Sequence, residues 1–255
     1  DPGIYSTADK YWTDMARLAS QVSILQPIHS DSLVSRDAYD ECNGIGYIQM
    51  TAVDGIDLQF LLEGTHLGIA RSQSSDEEWE HFTKVLFRVE EGRFSLQPGL
   101  ALYIMRKILL GLAIMHRSGY LHADIKPSNV MIDRMGSIKL VDFGRAVTIN
   151  EPISILLGSP FYMAPETHRL EPGIPQSDLY STGLVGMEML RGQPAIQDQE
   201  LSEQELLDFK MKLIPRVDGM LPPYVTKNKP LVHALKRFLQ PDPRARYSSA
   251  EEAEE

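Results

Sequence analysis

The chain has 255 residues, 43% of them hydrophobic, enough to bury a full core in one large domain or two lobes. A formal net charge of −10 excludes a broad nucleic-acid surface and a broad surface for anionic membranes. The single cysteine, Cys42, excludes an intrachain disulfide and a thiolate zinc cluster, and it fits a reducing, cytoplasmic setting.

From Thr7 to about Gln26, Tyr11, Met15, Leu18, Val22 and Leu25 recur at helical spacing, and Pro27 supports the helix end. Two strand-like runs follow, SLVSRDAY and IGYIQMTAV, joined by a turn in CNGIG. DGIDLQFLLEG then leads into a polar stretch over about 64–94, acidic from Asp76 to Glu80, which reads as a partly helical surface insertion. The acidic run suits either a docking site for a basic partner or a solvated helix face.

Ser95 and Pro98 precede a strongly periodic helix from about Leu100 to Arg117, ended by Gly119. Arg106 and Lys107 interrupt it, so no bilayer-spanning segment is expected. YLHADIKPSNVMID (120–133) reads as a loop running into a strand, and NVMID-RMG-SIKLVDFG has a hairpin pattern with Gly136 in the turn. Pro152, Pro160 and Pro165 keep the chain loop-like after Gly144. Helices are predicted over 179–191, 202–213 and 231–239, with a last one starting near Ser248. Both ends read as cut from something longer, and no internal repeat is visible.

Three of these stretches, HADIKPSN, VDFG and GSPFYMAPE, resemble in order and spacing the catalytic loop, metal-binding motif and substrate-site loop of eukaryotic-type protein kinases. SDLYSTG is similar to that family's D-x-W-S-x-G helix start, and PDPRARYSS to its closing arginine motif. The resemblance implies a two-lobed α+β fold. It puts a partial N-lobe at 1–53 and a mainly helical C-lobe at 54–255, with the catalytic loop at 120–129 and the activation segment at 142–166.

The implied reaction is transfer of the ATP γ-phosphate to serine or threonine hydroxyls of a protein substrate, with Mg²⁺. Asp124 would accept or orient the hydroxyl proton, and Lys126 would reach the transferred phosphate. Asn129 and Asp142 would supply a neutral and an anionic oxygen ligand to the metal. Gly144 would let the backbone turn sharply after Phe143. In this family His122 packs and hydrogen-bonds beneath the loop, Asp178 holds the loop backbone, and Glu166 and Arg246 form a buried ion pair. Lys126 and Ser159 match the serine/threonine-directed branch. YIQMTAVDGIDL resembles the hinge segment: Met50 would be the gatekeeper, Thr51 and Val53 would offer backbone hydrogen bonds to adenine, and Asp57 would lie near the ribose.

The chain also departs from the pattern. Ala123 stands where most regulated members carry arginine, which removes the usual reason for a phosphate switch on the activation segment. No Gly-rich loop or strand lysine precedes the first helix; NGIG at 43–46 reads as a hairpin turn, and Lys10 has no strand around it. The helix position expected to carry a glutamate falls at Ser20 or Gln21, with Asp14 the nearest acid. The reading is therefore a kinase with a truncated front lobe. The alternative is a pseudokinase scaffold with a degenerate or truncated ATP site. A small-molecule kinase of related fold fits less well, because GSPFYMAPE and Arg246 organise a protein-substrate groove. Nothing in the pattern sets an oligomeric state.

Overall fold

A computed structural model describes residues 28–255 except 44, 65, 91–92, 152, 154–158 and 198–199, together with Ala16 and Gln26. Apart from those two residues, the helix expected over 7–26, with Lys10, Asp14, Ser20 and Gln21, lies outside the described residues.

The front of the described chain is an antiparallel hairpin, β1 (Arg36–Cys42) with β2 (Ile45–Met50). Its ladder closes at Cys42↔Ile45, so the turn falls at the start of NGIG, with Asn43 in the left-handed region at φ 53°, while Ile45 and Gly46 already belong to β2. β3 (Gly55–Asp57) follows and runs directly into α1 (Leu58–Glu63). The Asp57 carboxylate accepts from the Phe60 N–H at 2.8 Å, satisfying an orphan donor at the helix start.

The stretch expected as a partly helical insertion holds α2 (Leu67–Gln73), α3 (Asp76–Val85) and a hairpin, β4 (Phe87–Glu90) with β5 (Arg93–Leu96), that the sequence pattern did not announce. α3 starts with a reciprocal cap: the Glu78 N–H donates to Ser75 Oγ at 3.2 Å, and the Ser75 N–H donates to Glu78 Oε2 at 2.8 Å. None of the α3 side chains is buried, so the acidic run lies on a solvated helix.

α4 (Pro98–Arg117) is the central helix. It has the length and hydropathy of a membrane span, yet Ala101, Ile104, Met105, Ile108, Leu112 and Met115 are buried in the protein core. The helix packs on the strand Ile138–Leu140, on the helix Pro175–Arg191 and on the last helix, so its buried face already has partners. β6 (Tyr120–Leu121) opens the stretch expected as loop, and a 3-10 turn at Pro127–Asn129 closes it. β7 (Val130–Asp133) and β8 (Ile138–Leu140) then form the expected hairpin, with Gly136 at φ 78° in its turn. β7 also pairs with β3, which makes a three-stranded sheet, and β6 pairs with β9 (Val147–Thr148).

The rest is helical: α5 (Pro165–His168), α6 (Pro175–Arg191), α7 (Glu203–Met211), α8 (Val217–Met220), α9 (Pro223–Thr226), α10 (Lys229–Phe238) and α11 (Ala250–Glu254). α6 is buried from Ser177 to Leu190. Gly183 lets α10 approach it closely, since a Cβ there would lie 2.6 Å from Phe238 Cβ. α6 is thus the rigid axis on which the site is mounted. The small strand pairs in front and the helical rear make this an α+β kinase-like fold.

Candidate active site

The loop after β6 is held from below by a buried carboxylate. Asp178, in the first turn of α6, accepts from the His122 N–H and the Ala123 N–H, each at 2.9 Å. His116 Nε2, from the last turn of α4, reaches the same carboxylate at 2.9 Å. Burial pushes the Asp178 carboxyl up, but the hydrogen bonds from His116 and from the His122 N–H help to outweigh it and leave it below the usual carboxylate range. Both loop N–H groups are oriented by this acceptor, and Ala123 sits at φ 62°, a left-handed conformation that a small side chain tolerates at some cost. His122 is fully buried and lies 3.1 Å, through Nε2, from the Val141 carbonyl. Because a carbonyl only accepts, the proton sits on Nε2, and burial keeps the ring neutral.

Asp124 is the next residue, and its carboxylate is held at both oxygens. Lys126 Nζ lies 2.9 Å from Oδ2, and Arg145 Nη1 lies 3.2 Å from Oδ1. Asn129 Nδ2 donates to Oδ2 at 2.9 Å and to the Asp124 carbonyl at 2.7 Å. Burial raises the Asp124 carboxyl, yet Lys126, Arg145 and Asn129 together hold it below its ordinary value. A carboxylate fixed in this way stays ionised and keeps one orientation, as an acceptor aimed at a hydroxyl must. Arg145 was not among the residues singled out from the sequence. A cation next to a D-F-G triplet has no periodicity to mark it; only the fold shows that it turns back onto Asp124.

The two oxygen donors proposed for a metal are juxtaposed through backbone, since the Val141 N–H donates to the Asn129 carbonyl at 3.0 Å and Asp142 is the next residue. The Asn129 amide nitrogen is committed to Asp124, which fixes the amide orientation and leaves Oδ1 as a ligand. With the Asp142 carboxylate this is a hard, all-oxygen donor pair, of the kind that suits Mg²⁺ beside substrate phosphates. The expected turn after Phe143 is present with Gly144 in it, since the Ala146 N–H donates to the Phe143 carbonyl at 3.0 Å, and just ahead of it Asp142 is left-handed at φ 58°. The Gly144 N–H also reaches Asp142 Oδ1 at 3.2 Å, where a Cβ would itself lie 3.2 Å from that oxygen.

The nucleotide side differs more from expectation. Met50 is 46% exposed, so it is not a covered gatekeeper: its hairpin strand has only β1 beside it among the described residues. The Thr51 N–H donates to the Ser35 carbonyl at 3.0 Å and is therefore not available to adenine. Val53 is half-buried and packs on the core, and one Asp57 oxygen is committed to the α1 cap. Nearby, buried Arg36 lies over the Phe143 ring, 4.0 Å from its centroid, and burial lowers its guanidinium to about 10.

Beside Lys126 a cleft of about 630 Å³ opens, lined also by Gln59, Glu63, Ser159, Phe161 and Tyr162 among others. Ser159 accepts the Tyr162 N–H through its carbonyl at 3.0 Å. The Tyr162 hydroxyl donates to Glu188 Oε2 at 2.6 Å, and burial raises the Glu188 carboxyl to about 7. Beneath this wall Glu166 and Arg246 form a bidentate pair, at 2.7 Å and 2.9 Å. Ser177 Oγ adds a bond to Glu166 at 2.8 Å, and Arg246 also donates to the Gln176 and Gln240 carbonyls. The pair is desolvated but fully partnered.

A family model of the protein kinase domain matches residues 71–255. The chain belongs to the protein kinase family. Among the kinase's relatives, the serine/threonine-protein kinase PknL of Mycobacterium tuberculosis is 37% identical over 142 residues, 52% of this chain and 35% of PknL. A probable serine/threonine-protein kinase, mkcD of Dictyostelium discoideum, is 29% identical over 187 residues, 71% of this chain and 28% of mkcD. The serine/threonine-protein kinase PrkC of Bacillus subtilis is 40% identical over 101 residues, 38% of this chain and 16% of PrkC. The chain thus spans about a third or less of the length of these relatives. In the kinase, Asp124, Lys126, Asn129, Asp142 and Ser159 all lie inside the matched residues, whereas Met50, Thr51, Val53 and Asp57 lie ahead of them.

Proposed function

We propose that the chain transfers the γ-phosphate of ATP to serine or threonine hydroxyls of protein substrates. The observation that carries this reading is the Asp124 carboxylate, held by Lys126, Asn129 and Arg145, with Lys126 also lining an open cleft. Asp124 would accept a hydrogen bond from the substrate hydroxyl and orient its oxygen toward the phosphorus. Lys126, already beside Asp124, puts a cation where charge grows on the transferred phosphoryl group. Asn129 and Asp142 would hold Mg²⁺, which when bound supplies charge neutralisation for the ATP phosphates. Ser159 and Lys126 support serine or threonine as acceptor, as does the naming of the relatives as serine/threonine kinases.

The test is transfer from γ-labelled ATP to a generic basic protein, comparing the chain with Asp124→Asn and Asp142→Ala. Each variant is expected to lose on the order of a hundredfold or more in rate. Transfer that persists in both would remove these residues from the reaction. Nucleotide binding without transfer by the unmodified chain would favour the pseudokinase reading.

A further inference from the structure

Lys210 lies on α7, four residues after Leu206, so both fall on the face that packs inward, and the lysine is 0% exposed. Burial lowers Lys210 to about 7, so at pH 6.5 it is mainly an ammonium group, with three donors and no acceptor. Three acceptors surround it: the carbonyls of Pro160 and Met163, the latter at 2.7 Å, and His168 Nε2 at 2.7 Å. Since Lys210 donates to Nε2, the His168 proton sits on Nδ1, which faces Glu203 Oε2 at 2.6 Å. A continuous chain of hydrogen bonds thus links Lys210, which donates to two backbone carbonyls and to His168, with the Glu203 carboxylate, which accepts from His168. Those carbonyls bracket Phe161 and Tyr162, the side chains that line the cleft beside Lys126. Burial, and then the charge of Lys210, hold His168 below its ordinary value, in keeping with a neutral acceptor ring.

We propose that Lys210 is a positioning residue: with His168 as the Nδ1–H tautomer, it anchors the 159–163 loop and sets how tightly the cleft holds a peptide substrate. The peptide part rests on the kinase reading above; the anchoring part does not.

Three measurements on the full chain at pH 6.5 test it. The first is ¹⁵N NMR of the unmodified protein, where His168 is expected as the Nδ1–H tautomer; an Nε2–H ring would overturn the proposal. The second is hydrogen exchange at the amides of Phe161, Tyr162 and Met163 in the unmodified chain and in Lys210→Met, which keeps the side-chain volume and removes the donors. Exchange should quicken by roughly tenfold, the loss of about one good hydrogen bond; unchanged exchange in a folded variant would overturn the anchoring. The third is steady-state transfer to a peptide, where Lys210→Met should raise KM roughly tenfold while kcat moves less than about threefold, with Lys210→Arg recovering part of the loss. An equal fall in kcat with KM unchanged would overturn the positioning role. Should the variant fail to fold, the tautomer measurement alone decides. If the unmodified chain transfers no phosphate, the function proposed above fails, whereas the tautomer and exchange results still judge the anchor.

Discussion

The two sides of Asp124 are built to different standards. Behind it, charged groups are buried with every neighbour supplied: Asp178 takes donors from His116, His122 and Ala123, and Arg246 is fully enclosed against Glu166. In front, Met50, Thr51 and Asp54 are exposed, and β2 has a single strand partner among the described residues. The contrast shows where rigidity is needed. A carboxylate meant to meet a hydroxyl at one angle sits on a loop held by the buried helix α6, with one cation from its own loop, Lys126, and one from beyond the D-F-G triplet, Arg145. A segment expected to offer only backbone groups needs less side-chain definition.

The largest expected effect breaks the rear network. Arg246→Ala leaves Glu166 charged and without its bidentate partner in a dry site, and it strands the Gln176 and Gln240 carbonyls. A loss of about 3–5 kcal/mol is expected in urea unfolding. Replacing both Glu166 and Arg246 by apolar residues should cost less than removing Arg246 alone. A single-variant loss below about 1 kcal/mol would mean that water already reaches the pair.

Glu188 sharpens the contrast through pH. Its carboxyl is raised to about 7 by burial, against an ordinary value in the unfolded chain of about 4.3. Between these values the folded protein binds more protons than the unfolded one. The associated stability is therefore present below about pH 4.3 and is lost as pH rises through about 7. Glu188→Gln keeps an acceptor for the Tyr162 hydroxyl and removes the titration, so the variant should gain on the unmodified chain by about 3 kcal/mol on going from pH 4 to pH 8. Parallel stability curves in urea over that range would show that Glu188 stays hydrated and ionised.

These residues also show how much could be read without coordinates. HADIKPSN, VDFG and GSPFYMAPE identified the family because phosphoryl transfer requires an acid, a cation and oxygen ligands at fixed spacing. Asp178, Glu166 and Arg246 came with that resemblance. What escaped was set by the tertiary structure: Arg145 turning back onto Asp124, Arg36 stacking on Phe143, and the β4–β5 hairpin within a polar stretch. Lys210 left one faint signal, a lysine four residues after Leu206 on an inward helix face. The turn expected at Gly144 is present, but the left-handed Asp142 two residues ahead of it was not legible, since glycine tolerates a positive φ without requiring one and an aspartate gives no such signal.

The smallest expected effect is at the front. Met50 is about half exposed at the end of β2, so Met50→Ser removes little buried apolar surface and should change stability by no more than about 0.5 kcal/mol. The same variant should leave the melting of the rear unaltered, because the Glu166–Arg246 pair and the α4–α6 packing do not involve the hairpin. A measured loss above about 2 kcal/mol would mean that the side chain is covered in solution by another part of the protein. That result would return Met50 to the gatekeeper role and make the front as closely packed as the back. A loss within the expected range would show that Met50 stays uncovered in solution, as it is in the structure.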